Sequence, residues 1–277
     1  MPDETAVSTH YTQGGLLQAI ETGVARLGKT PDSVTLDDLG PVDEFHIGGR
    51  GASEAFLDQL AIAPDHRVLD IGCGLGGPAR FTASRYRCAV EGIDLTAEFV
   101  DTGRALNAWV GLEDQVMLVH GSALSMPYGD ARFDHAYMMH VGMNIADKSG
   151  LFAEAARVLK PRGCFGIYDV MQTGDGEIAY PVPWSGTAET SSLATPGAYR
   201  EGLEAAGFEI MAERNRRDFA IAFFERMAAQ TQQAGGPPPL GLHLVMGQTA
   251  RLKFANLVAN LAAGHVAPIE LIARKSG

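Results

Sequence analysis

From Arg67 the chain runs RVLDIGCGLGG, five residues suited to a strand followed by six of which four are glycine. No other feature constrains the fold as much. Glycine tolerates the left-handed backbone of a sharp turn and puts no side chain between the backbone and a ligand. Beyond this loop, short apolar runs alternate with helical periodicity. Cys88 to Ile93, Val116 to Val119, Phe133 to Met139 and Cys164 to Val170 read as strands, with helices at Ala79 to Arg85, Ala97 to Val110 and Lys148 to Leu159 between them. Strand–helix alternation at this spacing predicts βαβ units, hence a parallel sheet covered on both faces.

The flanks differ. Leu16, Leu17, Ile20, Val24 and Leu27 recur at helical spacing, a short helix fits Ser33 to Leu39, and Ala52 to Leu60 is a second amphipathic stretch. Residues 1–60 therefore read as a helical N-terminal cap on a domain spanning 61–277. Near the end, Pro196 to Ala206 is helical, while Phe208 to Glu213 and Val266 to Ala273 are strands. Helices at 219–232 and 248–263, joined by the breaker Gly235-Gly236-Pro237-Pro238-Pro239, predict a lid inserted at about 217–263, before the last strand. The expected fold is α/β, doubly wound, with a mostly parallel seven-stranded sheet.

Charge narrows the partners. With Lys+Arg 22 against Asp+Glu 33, the formal net charge is -11, which opposes binding to a phosphate backbone. No stretch approaches the ~20 apolar residues of a membrane span. The polar start, Met1 to His10, does not read as a secretory leader. Cys73, Cys88 and Cys164 lack metal-ligand spacing and sit among apolar residues or glycines. They read as reduced thiols of a cytoplasmic protein, with no metal site expected.

Taken alone, the glycine loop is ambiguous. Gly72, Gly74 and Gly77 satisfy the dinucleotide fingerprint, and Asp94 lies near the distance of a ribose-binding acid. Asp70 discriminates: a carboxylate beside the turn repels a pyrophosphate and suits the cationic amino group of a methionine moiety. Asp70-x-Gly72-x-Gly74-x-Gly76 resembles motif I of the class I S-adenosylmethionine-dependent methyltransferases, and Gly92-Ile93-Asp94-Leu95 their second signature. The resemblance covers residues 65–170. It implies a Rossmann-like methyltransferase fold and S-adenosyl-L-methionine as cofactor, held by Asp70, Gly72, Gly74, Asp94 and Leu95. Ser122 and Ala123 fall where the family contacts adenine. There the family usually has Asp where this chain has Ser122.

Shorter motifs resemble the sarcosine/dimethylglycine N-methyltransferases: Asp43-Glu44-Phe45-His46-Ile47-Gly48-Gly49 and Asp169-Val170-Met171-Gln172. They imply a small-molecule acceptor methylated on an amine nitrogen, with Met171, Gln172, Trp184 and Arg200 as substrate contacts. Tyr11 lies where relatives carry an aromatic residue over the methionine end of the cofactor, and Arg50 is a second candidate for a substrate carboxylate. His46 and His140 are the catalytic candidates, His140 also completing the cofactor pocket at the carboxyl edge of the fourth strand. Rival readings are an O- or C-methyltransferase of an apolar natural product, suggested by the greasy Leu240 to Met246 stretch, a nicotinamide oxidoreductase, and a non-catalytic cofactor-binding subunit. The apolar lid faces also suggest a homodimer.

Overall fold

The computed structural model describes residues 4–277; the first three residues of the polar start and of the cap lie outside it. The cap comprises α1 (Glu4–Tyr11), α2 (Leu16–Arg26), α3 (Leu36–Asp43) and α4 (Gly49–Leu57). The alternating part follows as β1 (Arg67–Ile71), α5 (Gly77–Tyr86), β2 (Ala89–Asp94), α6 (Ala97–Trp109), β3 (Val116–His120), β4 (Phe133–Met139), α7 (Lys148–Val158) and β5 (Leu159–Gln172). The last part holds α8 (Pro196–Ala205), β6 (Phe208–Asn215), α9 (Arg217–Gln233), α10 (His243–Met246), α11 (Ala250–Ala263) and β7 (Val266–Lys275).

The strands form a seven-stranded sheet in the order β3-β2-β1-β4-β5-β7-β6. Neighbours from β3 to β5 pair in parallel, while β7 is antiparallel to both β5 and β6. Alternation along the strands sorts side chains to the two faces. Leu69, Ile71, Ala136 and Met138 join one core with Leu151, Phe152 and Tyr199. Val68, Tyr137 and Met139 join the other with Phe56, Leu57 and Ala83. The order reverses between β2-β1 and β4, and there the carboxyl ends of the strands open the crevice in which ligands of such sheets bind.

Local chemistry sets the boundaries. Thr35 and Asp38 form a reciprocal capping box at the start of α3. Thr195 caps α8, with Pro196 at its first position, and α11 stops at Gly264 in the left-handed region. Strand β5 begins at Leu159, earlier than periodicity predicts, because Leu159 pairs with Phe133 before a register shift carries Cys164 opposite His135. Two elements had no sequence signal: α1 has no apolar face, and α10 is a single turn.

The cap is keyed into the sheet layer. Arg80 of α5 and Asp43 at the end of α3 are both fully buried; Nη2 of Arg80 donates to Oδ1 of Asp43 at 2.6 Å and Nε to Oδ2 at 3.3 Å. Arg80 spends Nη1 on Asn107 Oδ1 (2.8 Å) and the Gly103 carbonyl (3.2 Å). Cap and lid also share cores. Leu240 and Val245 pack on Leu16, Ile20 and Val24, and Ile47 packs with Ala220, Phe224, Leu257 and Leu261. These apolar lid side chains thus face inward, while Leu252 of α11 stays exposed. Among the described residues no helix is long and apolar enough to cross a membrane.

Candidate active site

The carboxyl ends of β1, β2 and β4, the cap and the lid enclose one cavity of about 1560 Å³. Gly72 and Gly74 turn back from β1 with φ of +71° and +55°. A Cβ on Gly72 would strike Val141 at 2.5 Å, whereas one on Gly74 would point into open space. The first glycine serves close packing, and the second leaves bare backbone beside the cavity. Asp94, ending β2, accepts the Gly74 amide on Oδ2 and the Thr96 amide on Oδ1, both at 2.8 Å. These bonds hold its carboxylate at the cavity wall with lone pairs to spare for a diol. Burial pushes the Asp94 carboxyl upward in pKa, opposed by those two amides.

Asp70 lies beneath the loop, 2% exposed, accepting the Tyr137 hydroxyl at 3.2 Å. Burial raises its pKa well above the usual carboxylate value. A cationic ligand in the cavity would favour its ionised form.

The two histidines have different environments. His140 has φ +61° and is spanned at both nitrogens. Nδ1 donates to the Tyr168 carbonyl at 3.1 Å, and Nε2 accepts the Ile47 amide at 3.3 Å. Burial, helped by His46, depresses its pKa to about 3. With its lone pair occupied, His140 is a neutral brace in the cavity wall and a poor proton acceptor. Nε2 of His46 faces the Gly49 carbonyl at 3.2 Å and Ser53 Oγ at 3.1 Å. A carbonyl only accepts, so Nε2 carries the proton. Ser53 Oγ donates to Glu44 Oε2 at 2.6 Å, Glu44 Oε2 lies 3.5 Å from the ring nitrogen, and Arg50 binds the other Glu44 oxygen. That leaves Nδ1 of His46 as a lone pair with no protein partner. Burial lowers the pKa of His46 below its usual value, against the pull of Glu44, so the ring is neutral at neutral pH.

Of the other expected residues, Tyr11, Leu95, Ala123 and Trp184 line the cavity. Tyr11 donates to Asn144 Oδ1 at 3.1 Å, and Trp184 Nε1 donates to Ser191 Oγ at 3.0 Å. Ser122 stands just outside the wall, its hydroxyl donating to Glu4. Three substrate candidates lie elsewhere. Met171 is buried in the sheet core. Gln172 donates to the Gly174 carbonyl at 3.2 Å, and Arg200 pairs with Glu213 at 2.6 Å. The strand-end motif acts instead through Asp169, which accepts the Tyr199 hydroxyl at 2.5 Å. A Cβ on Gly142 would collide with both groups, so this pair buttresses the loop that carries Asn144. Ser53 and Asn144 carried no signal, because their partners lie on other elements, while Glu44 and Asp169 stood inside the quoted motifs without being singled out.

The family model for the methyltransferase domain matches residues 69–167, the stretch that builds the glycine loop and Asp94. Over that stretch the chain is similar to the S-adenosylmethionine-dependent methyltransferases. A sterol 24-C-methyltransferase of Eremothecium gossypii is 33% identical over 194 residues, covering 63% of this chain and 51% of that protein. The glycine/sarcosine/dimethylglycine N-methyltransferase of Actinopolyspora halophila is 32% identical over 162 residues, covering 57% and 29%. The chain thus spans about half, or less, of the length of these relatives. The fold is shared with geranyl diphosphate C-methyltransferase from Streptomyces coelicolor in complex with S-adenosyl-L-homocysteine, with a TM-score of 0.72, 18% identity and coverage of 99% and 98%. S-adenosylmethionine is the cofactor of this methyltransferase family, and the carboxylates and bare glycine backbone here fit it. Asp94 keeps lone pairs that a ribose diol would use, Gly74 leaves the backbone bare, and Asp70 would offer a compensating charge to a cationic amino group.

Proposed function

We propose that this chain transfers a methyl group from S-adenosylmethionine to a proton-bearing nucleophile on a largely apolar small molecule. The observation that supports this most is the continuity of the cavity. Gly74 and Asp94, His46, and the lid side chains Phe223, Phe224, Met227, Phe254 and Leu257 line the same space. Its size, about 1560 Å³, exceeds the roughly 300–1,000 Å³ of an ordinary ligand pocket and accommodates cofactor and a sizeable acceptor together. An amine nitrogen is one such nucleophile, yet neither arginine considered for a sarcosine-like carboxylate is free: Arg200 pairs with Glu213 and Arg50 with Glu44. The apolar wall supports the larger acceptor.

The cofactor supplies an electrophilic methyl on a sulfonium, so the protein's tasks are alignment, exclusion of water and removal of a proton. Asp94 and the glycine loop hold the donor half. The lid wall orients the acceptor and keeps it dry. Nδ1 of His46 receives the proton that the nucleophile releases as the new bond to carbon forms. Glu44, through its contacts to Ser53 and the ring, stabilises the imidazolium. His140, Tyr168 and Ile47 fix the wall beside it.

The test is release of S-adenosylhomocysteine from S-adenosylmethionine in the presence of hydroxyl and amine acceptors with apolar bodies, alongside sarcosine and dimethylglycine. Turnover with the apolar set is expected, and His46→Gln should lower kcat by roughly 10²–10⁴-fold at unchanged affinity for S-adenosylhomocysteine. Turnover of the small amino acids alone would overturn the acceptor class. Full activity in His46→Gln would remove the base.

A further inference from the structure

The loop after β3 has a serine, Ser122, at the cavity edge, and its hydroxyl is doubly engaged. It accepts the Leu124 amide at 3.0 Å and donates to Oε1 of Glu4. Glu4 opens α1, 118 residues away in sequence, and itself lines the cavity with Val7, Leu95, Ala123 and Leu124. Glu4 has no ion-pair partner among the described residues. A serine of the β3 loop thus holds a carboxylate from the N-terminal helix over one end of the cavity.

The order of the strands says which part of a ligand meets it. On the reading proposed above, Asp94 at the end of β2 takes the ribose diol, and methyl transfer occurs beside His46 and His140, toward β4. The sheet runs β3-β2-β1-β4, so the base on the far side of the ribose lies over the end of β3. There Leu95, Ala123 and Leu124 line the cavity with apolar side chains, and Glu4 offers an acceptor. We infer that Glu4, positioned by Ser122, accepts a hydrogen bond from the exocyclic amino group of the adenine and so selects an amino-purine cofactor. α1 would then close over the cofactor by three side-chain contacts of different kinds: Glu4 to base and Ser122, Tyr11 to Asn144, and the backbone after α1 to Glu98. Oε2 of Glu98 accepts the Gln13 and Gly14 amides at 2.7 and 3.0 Å, and Oε1 accepts Leu16 at 3.0 Å.

This inference rests on the cofactor reading, and one titration series separates the two. The probes are S-adenosylhomocysteine and S-inosylhomocysteine, in which a carbonyl replaces the amino group. The whole chain and its Glu4→Ala variant are titrated calorimetrically with each. The unsubstituted chain should prefer the adenosyl ligand by roughly 10- to 100-fold, the scale of a hydrogen bond to a charged group plus the repulsion of a carbonyl. Glu4→Ala should flatten that preference to about threefold or less, on the same scale, by losing adenosyl affinity while inosyl affinity is kept or rises. Equal weakening of both ligands would make Glu4 merely a clasp of α1, and an unchanged preference would place the base elsewhere; either overturns the inference while leaving the cofactor reading standing. No binding of either ligand by the unsubstituted chain would overturn the cofactor reading itself, and the inference with it.

Discussion

The two halves of the cavity are built on different principles. The half proposed to hold the donor is made by residues close in sequence, Asp70 to Gly74 and Asp94 to Thr96, held by backbone hydrogen bonds at the ends of two adjacent parallel strands. The acceptor half is assembled from segments far apart: His46 and Ile47 of the cap, Met143 after β4, Trp184, and Phe223, Phe224 and Leu257 of the lid. Its contacts are mostly apolar and non-directional. A donor site so tied to the sheet can serve many acceptors, because the lid can be rebuilt without moving Gly74 or Asp94.

That contrast can be broken or sharpened by measurement. The largest effect is expected where the halves are joined. Asp43→Ala leaves the Arg80 guanidinium buried and unpaired and should cost about 3–5 kcal/mol, read as a lower midpoint in urea unfolding; a loss under ~1 kcal/mol would mean that water or relaxation replaces the pair. Next, Asp94→Ala should weaken S-adenosylhomocysteine binding by about 1.5–3 kcal/mol in calorimetric titration, with turnover at saturating cofactor less affected. An unchanged dissociation constant would take Asp94 out of the donor half. Phe254→Ala, on the lid, should raise the acceptor KM by about 1 kcal/mol equivalent and leave cofactor affinity alone. If it weakens the cofactor equally, the two halves are not separable.

The smallest effect is a slope. His140 has a folded pKa near 3, depressed by burial, against an unfolded value near 6.5. Its neutral form therefore contributes stability that is complete above pH 6.5 and is lost as pH falls from there toward 3. Denaturation midpoints measured between pH 7 and 4 should fall less steeply in His140→Gln than in the parent chain. Identical slopes would show that His140 titrates normally. The pH profile of kcat in His140→Gln and His46→Gln separates a brace from a base, because only the second change should reshape it.

The geometry of the half proposed to hold the donor was largely legible beforehand. Asp70, Gly72, Gly74 and Asp94 declared themselves because a tight strand-to-helix turn and a strand-end acid require given residue types at given spacing, and backbone geometry carries that requirement locally. Strands β1, β2, β3 and β4 were readable from apolar runs for the same reason. The acceptor half was not. Met171, Gln172 and Arg200 looked like substrate contacts on motif grounds, but strand alternation turns Met171 into the core, and Arg200 meets Glu213 across α8 and β6. Ser122 looked like a lost acid; only the fold showed that α1 brings Glu4 to it.

The sequence by itself determined the α/β alternation, the glycine turn and the acid of the second strand, since these follow from periodicity of 2 and 3.6 residues and from the steric freedom of glycine. Tertiary structure alone decided which histidine keeps a free lone pair, which lid side chains reach the cavity, and where the Glu4 carboxylate goes. Each of those depends on a partner 3 to more than 100 residues away, from Gly49 beside His46 to Tyr168 beside His140 and Ser122 beside Glu4. Hydrogen-bond direction and packing are properties of a pair, and the pair exists only once the chain has closed on itself.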